Sequence, residues 1–201
     1  MKKLLPVFIL FTFSGLVSSC DSDNSIETET VLPATQAEMS RTFSYAYNEP
    51  QSAEIASYST WSVETYSSLE EERLNITFSG LPKLADTDVI HFNISKLQLL
   101  GNYIGSYALK SLPNPAAGAA QVRYTYRRDG NSSSIIESTF STMDGHFTIS
   151  SYDAKNKLIS GSYEIRIKEA VDPKRYDIAE PLIRRCDITL RGSFANVKVL
   201  Q

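Results

Sequence analysis

Few side chains in this 201-residue chain could do chemistry, and their spacing limits what that chemistry would be. Cys20 is the most telling of them. Lys2 and Lys3 lead into an apolar run from Leu4 to Leu16, which passes through Val17-Ser18-Ser19-Cys20 into the polar Asp21-Ser22-Asp23-Asn24-Ser25. A charged start followed by a short apolar run is the layout of a secretory leader. The run is too short for a stable membrane span, which takes about 20 apolar residues. A cysteine at this boundary sits where a lipobox places the residue that is acylated after signal-peptidase cleavage. The expected chemistry is therefore lipidation of Cys20. Residues 1–19 read as a lipoprotein signal peptide, 20–35 as the lipidated cysteine and a flexible acidic tether, and 36–201 as one domain. Each buried methylene of an acyl chain contributes about 0.8 kcal/mol, and stable anchoring takes more than one chain. The expected location is the cell envelope, anchored through the N-terminal lipid to a membrane, the outer membrane above all, on its periplasmic or surface face.

The remaining reactive groups are sparse. Cys186 is the only other cysteine, so with Cys20 alkylated it has no intramolecular partner, although an extracytoplasmic site would permit a disulfide. It alternates in step with Ile188, Leu190 and Phe194, which predicts a buried, inert thiol. Only two histidines occur, His91 and His146, and each reads as a solvated strand residue. Acids cluster at Glu70-Glu71-Glu72, at Asp86 and Asp88, and at Asp144 and Asp153. Two carboxylates across a cleft would suit glycoside hydrolysis, and Asp86-Thr87-Asp88 could offer oxygens to calcium if further ligands joined them. Placement in expected loops explains both by solvation alone. No nucleophile elbow, zinc-protease helix, phosphate loop or paired Cys-x-x-Cys is present. The expectation is no enzyme, no cofactor and no resident metal. Loss of Lys2 and Lys3 with the leader takes the formal net charge from −3 to −5. A mildly acidic chain without a basic block argues against nucleic acid as a partner.

Period-two alternation dominates from Phe43 onward and marks strands with one buried face. Leu74, Ile76 and Phe78 alternate with polar residues, as do Ile90, Phe92 and Ile94, and Val122, Tyr124 and Tyr126. Phe147 and Ile149 share a face, as do Ile159, Gly161, Tyr163, Ile165 and Ile167, and Cys186, Ile188, Leu190, Gly192 and Phe194. Less regular runs at 55–66, 103–110 and 134–142 suggest three more strands. Asp129-Gly130 and Asp144-Gly145 suit tight hairpins. Thr35-Gln36-Ala37-Glu38 fits a capping box, which predicts a short helix to about Thr42. Apolar parity changes between Phe194 and Val197, which predicts a β-bulge at Ala195 or Asn196. The fold class expected is all-β: a single antiparallel β-sandwich or partly open barrel of about nine strands.

The aromatic residues are the candidates for contact. The only tryptophan, Trp61, lies in Tyr58-Ser59-Thr60-Trp61-Ser62-Val63-Glu64-Thr65-Tyr66. Trp61 and Val63 facing the core would leave Tyr58 and Tyr66 outside. Tyr152 also falls opposite Phe147 and Ile149. Outward Tyr58, Tyr66 and Tyr152 could stack on sugar rings or meet an envelope protein, so non-catalytic binding of a glycan or protein partner is the leading expectation. A structural or assembly role in the envelope or a surface appendage is the alternative.

The C-terminal half also carries a recurring pattern. Gly145-His146-Phe147-Thr148-Ile149 is followed by Tyr152-Asp153, by Leu158-Ile159-Ser160-Gly161-Ser162-Tyr163, and by a closing Asp187-Ile188-Thr189-Leu190-Arg191-Gly192-Ser193-Phe194-Ala195-Asn196-Val197. With Ile104-Gly105-Ser106-Tyr107-Ala108-Leu109, this resembles a group of small lipoproteins of Bacteroidetes-type bacteria that have no assigned activity. The resemblance spans roughly residues 70 to 199. It implies an envelope β protein and transfers no catalytic residue.

Overall fold

The computed structural model describes residues 31–45, 52–81, 86–128, 132–175 and 184–201. Cys20, the first part of the tether and the Asp129-Gly130 turn lie outside the described residues. The described residues form eleven strands: β1 (Gln36–Tyr45), β2 (Ser52–Tyr58), β3 (Val63–Leu69), β4 (Arg73–Gly80), β5 (Thr87–Ser95), β6 (Gly105–Ala108), β7 (Ala120–Arg127), β8 (Ser133–Glu137), β9 (Met143–Asp153), β10 (Leu158–Val171) and β11 (Arg185–Lys198). One sheet has the order β2-β1-β11-β10-β9-β6 and the other β3-β4-β5-β7-β8. All pairings between these strands are antiparallel. The sheets do not close on themselves, so the fold is a β-sandwich with β2, β6, β3 and β8 as edges.

The alternating residues meet between the sheets as their period requires. Phe78 and Phe92 come from the five-stranded sheet, and Phe147, Tyr163 and Phe194 from the six-stranded one. Phe92 lies 4.5 Å from Phe147, Phe78 5.1 Å from Tyr163 and 5.3 Å from Phe194, centroid to centroid. Fully burying one such side chain contributes about 1.5–3 kcal/mol, so this knot of five rings is a main source of cohesion where no disulfide is present among the described residues. Gly192 is needed beneath it. A Cβ there would come within 2.4 Å of the Tyr163 ring.

The bulge expected near Asn196 is present. Phe194 pairs with Gly161 and Val197 with Ile159, so β11 carries one extra residue, and both Phe194 and Val197 are buried. Asn196 takes φ +57°, a left-handed conformation that asparagine tolerates better than most residues. Its amide donates to Ser160 Oγ (3.1 Å), which satisfies a group the bulge would otherwise strand.

Several expectations are corrected. The capping-box helix is instead strand β1. Ala37, Met39, Phe43 and Tyr45 alternate into the core with Arg41, and pairing with β11 from Gln36↔Ala195 to Ser44↔Asp187 outweighs a weak helical signal. Thr35 Oγ1 donates to the Asn196 carbonyl (3.0 Å) rather than capping a helix. The run 55–66 is two strands in different sheets, joined by a 3-10 turn at Thr60–Ser62. The turn throws Trp61 out to 90% exposure, and Val63 alone takes the core position. Asp144-Gly145 is no hairpin. It lies inside β9, where Gly145 has φ +131° and a Cβ would meet the Glu164 carbonyl oxygen at 2.0 Å. The 134–142 run supplies only four of the five residues of β8 (Ser133–Glu137) before turning at 138–140.

Candidate binding cleft

The three tyrosines singled out by sequence are not brought together. Tyr66 faces outward on β3 and is exposed. Tyr58, the last residue of β2, turns inward instead, packs on the core and donates from its hydroxyl to Asp88 Oδ2 (2.7 Å). Tyr152 also turns inward. A register shift at Ser151 puts an extra residue in β9 and reverses parity, so Tyr152 pairs with buried Ile159 and packs edge-on against Tyr103 (4.6 Å).

Asp88 departs furthest from its expected loop. It is an inward residue of β5, 1% exposed, within a charged cluster inside the sandwich. Its Oδ1 accepts from Tyr124 (2.6 Å) and its Oδ2 from Tyr58, while Arg41 Nε stands 3.1 Å from Oδ2. That last approach is off the line of a hydrogen bond, so the contact is ionic, and Arg41 Nη1 has no acceptor among the described residues. The Arg41 guanidinium stacks on Phe43 at 4.1 Å and reaches Glu54 at 3.5 Å. Burial first, and the Asp88 carboxylate next, push the Tyr58 and Tyr124 phenols upward, so both stay protonated and keep donating. Asp86 accepts the hydroxyl of Tyr126. Asp86 and Asp88 are thus engaged with protein donors. No group of three or more His, Cys, Asp or Glu among the described residues is arranged to hold a metal.

The other titratable candidates sit on the two outer faces. His146 is exposed on β9. His91 is half-buried on β5, with Nδ1 2.9 Å from Thr77 Oγ1, and burial followed by the Arg123 charge lowers its pKa. On the six-stranded sheet, His146, Ser40, Ser57, Ser162, Ser193 and Arg191 surround a depression of about 470 Å³. Of its two acids, Glu38 and Glu164, Glu164 is taken up by Arg166 (2.6 Å) and Arg191 (3.2 Å). Cys186 is buried, and burial first with nearby Asp172 second push its thiol up to about 12. Glu70, Glu71 and Glu72 form the exposed β3–β4 turn, and Asp144 and Asp153 are exposed on β9.

A second concavity lies where β8 faces the C-terminal end of β10. It is a cleft of about 660 Å³, lined by Ser134 to Glu137, Phe140 to Thr142, Ile167 to Asp172, Arg175 and Arg185. Three large apolar side chains stand open to solvent around it: Phe140 at 78% exposure, with Ile135 and Val171. Such a cluster at a concave site is a recognised mark of an interaction surface. Local structure explains why they are outside. Ile135 and Ile136 are neighbours in one strand, so they point to opposite faces and only one can reach the core. Phe140 lies in the turn after β8, where its amide donates back to Glu137 O (3.1 Å). Val171 follows a bulge in β10. Ile167 pairs with Ile188 but Ala170 with Cys186, and Glu169 takes φ +51°.

Phe140, Ile135 and Val171 were not singled out from sequence. The doublet Ile135-Ile136 was the available signal, because period two cannot bury both. Compared with known proteins, the chain matches no family model, no curated protein and no solved structure.

Proposed function

We propose that the protein is a lipid-tethered, non-catalytic binding module of the cell envelope, anchored through Cys20, that holds a protein partner in the cleft between β8 and β10. The observation that carries this reading is the group of exposed Phe140, Ile135 and Val171 around the cleft of about 660 Å³ between β8 and β10. Exposed apolar area of this kind gains free energy when covered by a partner. A protein is favoured over a glycan because sugar rings need aromatic faces presented together. Tyr58 and Tyr152 are turned inward, which leaves Tyr66 alone of the three. The non-catalytic reading draws support from the buried polar cluster of Arg41, Asp88 and Tyr124, which is sealed in the core out of a substrate's reach.

The test is a photo-crosslinking side chain placed at position 140 of the full-length protein in intact cells, with position 189 on the outer face of β11 as control. A discrete protein adduct at 140, absent at 189, is expected. A second copy of the chain in that adduct would give the same cleft the assembly role. Equal adducts at both positions, or none at 140, would overturn the reading.

A further inference from the structure

The cleft is bordered by two strand edges that have no partner among the described residues. β8 ends its sheet, so one side of Ser133–Glu137 has no neighbouring strand among them. On the other wall, β9 pairs with β10 only as far as Met143↔Ile167, whereas β10 continues to Val171. Its last four residues therefore lack a β9 partner. No backbone hydrogen bond among the described residues joins β8 to β10. At one end the walls are tied, where Ser134 Oγ donates to the Pro173 carbonyl (3.1 Å). An open edge presents a row of backbone donors and acceptors at strand spacing, and the partner that satisfies such a row is another extended chain.

The charges around the cleft choose among extended chains. Three cations line it: Lys168, Arg175 and Arg185. Of the lining acids, Glu137 is held by Arg123 at 2.6 Å and buried Asp172 is faced by Arg184 at 3.6 Å. Glu169 is then the one lining acid whose carboxylate makes no ion pair among the described residues. Lys168 and Arg175 have no acidic partner among the described residues, and Arg185 donates to a neutral group, the Glu169 carbonyl (2.9 Å). The rim thus carries an unspent positive charge beside an apolar floor.

Resting on the reading of this cleft as the partner site, we infer that the partner enters as an extended, acidic peptide segment that adds as a strand to the free edge of β8. About five residues would match β8, at roughly 3.4 Å per residue. Alternate side chains of the added strand would lie beside Ile135 on one face and beside Ile136 and Val171 on the other, with acids reaching Lys168 and Arg175. Backbone pairing supplies affinity, and the cations select against basic or neutral strands.

The test uses the full-length lipidated protein in detergent micelles and three synthetic peptides of about nine residues, long enough to overrun β8 at strand spacing. One alternates valine with aspartate, one alternates valine with lysine, and one is the acidic peptide with proline at its centre. Fluorescence anisotropy should show the acidic peptide binding about tenfold more tightly than the lysine peptide, the effect of two exposed ion pairs. The double variant Lys168→Glu, Arg175→Glu, whose side chains are solvent-facing, should fold normally and reverse that order. The proline peptide should fail to bind, because it cannot donate to the edge. Amide exchange should slow in Ser133–Glu137 when the acidic peptide is added. The inference is overturned by equal binding of the acidic and lysine peptides, by binding of neither, by undiminished binding of the proline peptide, or by unchanged exchange in β8. A protein adduct at position 140 together with any of those results sinks the strand inference alone. Absence of the adduct sinks the cleft reading itself.

Discussion

Between β1 and β5 the sandwich buries charge, and between β8 and β10 it leaves apolar side chains in water. Arg41 and Asp88 lie inside with two tyrosines donating to the carboxylate, and Phe140, Ile135 and Val171 lie outside around a cleft. Each region inverts the ordinary distribution of side chains, but the consequences differ. A buried ion pair gives little net stability, because desolvation offsets its attraction, yet breaking it is severe. An exposed apolar cluster contributes almost nothing to folding and can contribute much to association. The first region holds the two sheets in one arrangement. The second has no evident purpose within the folded chain, which is why it marks the site.

The sharpest way to break this comparison is at Asp88. Asp88→Ala removes the buried counter-ion of Arg41, leaving only the partly exposed Glu54 at 3.5 Å, and deprives Tyr58 and Tyr124 of their acceptor. A loss of about 3–5 kcal/mol is expected in urea unfolding. Combining it with Arg41→Met should recover much of that loss, since an uncharged pair of similar volume removes the unpaired ion. A drop below about 1 kcal/mol in the single variant would mean the cluster is wet and the contrast false.

A smaller effect of opposite sign is expected at Tyr163. Its hydroxyl is buried with no hydrogen-bond partner among the described residues, while its ring packs on Phe78 and Phe92. Tyr163→Phe keeps the ring and removes an unsatisfied group, so it should stabilise the domain by about 1 kcal/mol. Thermal unfolding that instead moves down would reveal a partner for the hydroxyl.

The smallest stability effects belong to the exposed aromatics, where they sharpen the comparison most. Phe140→Ala and Trp61→Ala should each stay within about 0.5 kcal/mol of the parent, as befits exposed positions. Only Phe140→Ala should weaken the acidic peptide in the anisotropy assay. Equal weakening by Trp61→Ala would move the contact surface to the Thr60–Ser62 turn.

Much of the sandwich was legible in the alternation. Every run that kept period two over three or more apolar positions became a strand with that face buried, and the parity change after Phe194 located a bulge to within two residues. The failures came where the chain changes sheet or parity without a change in composition. Trp61 looks like a core residue by type and spacing, but the chain leaves one sheet at Tyr58 and enters the other at Val63, and the turn between them cannot bury it. Tyr152 was lost to a bulge that Ser150-Ser151 does not announce. The cleft residues escaped because a lone phenylalanine among serines and threonines, and an isoleucine doublet, are each compatible with burial.

The amino-acid sequence by itself determined the secondary structure of most of the domain and the inward face of its regular strands, Cys186 among them, because side-chain period and residue type act locally. Only the tertiary structure decided that Asp88 meets Arg41, that Tyr58 and Tyr152 turn inward, and that β8 and the end of β10 leave an open cleft between them. Those outcomes depend on which strands lie side by side across two sheets, a long-range choice that no local pattern along the chain encodes.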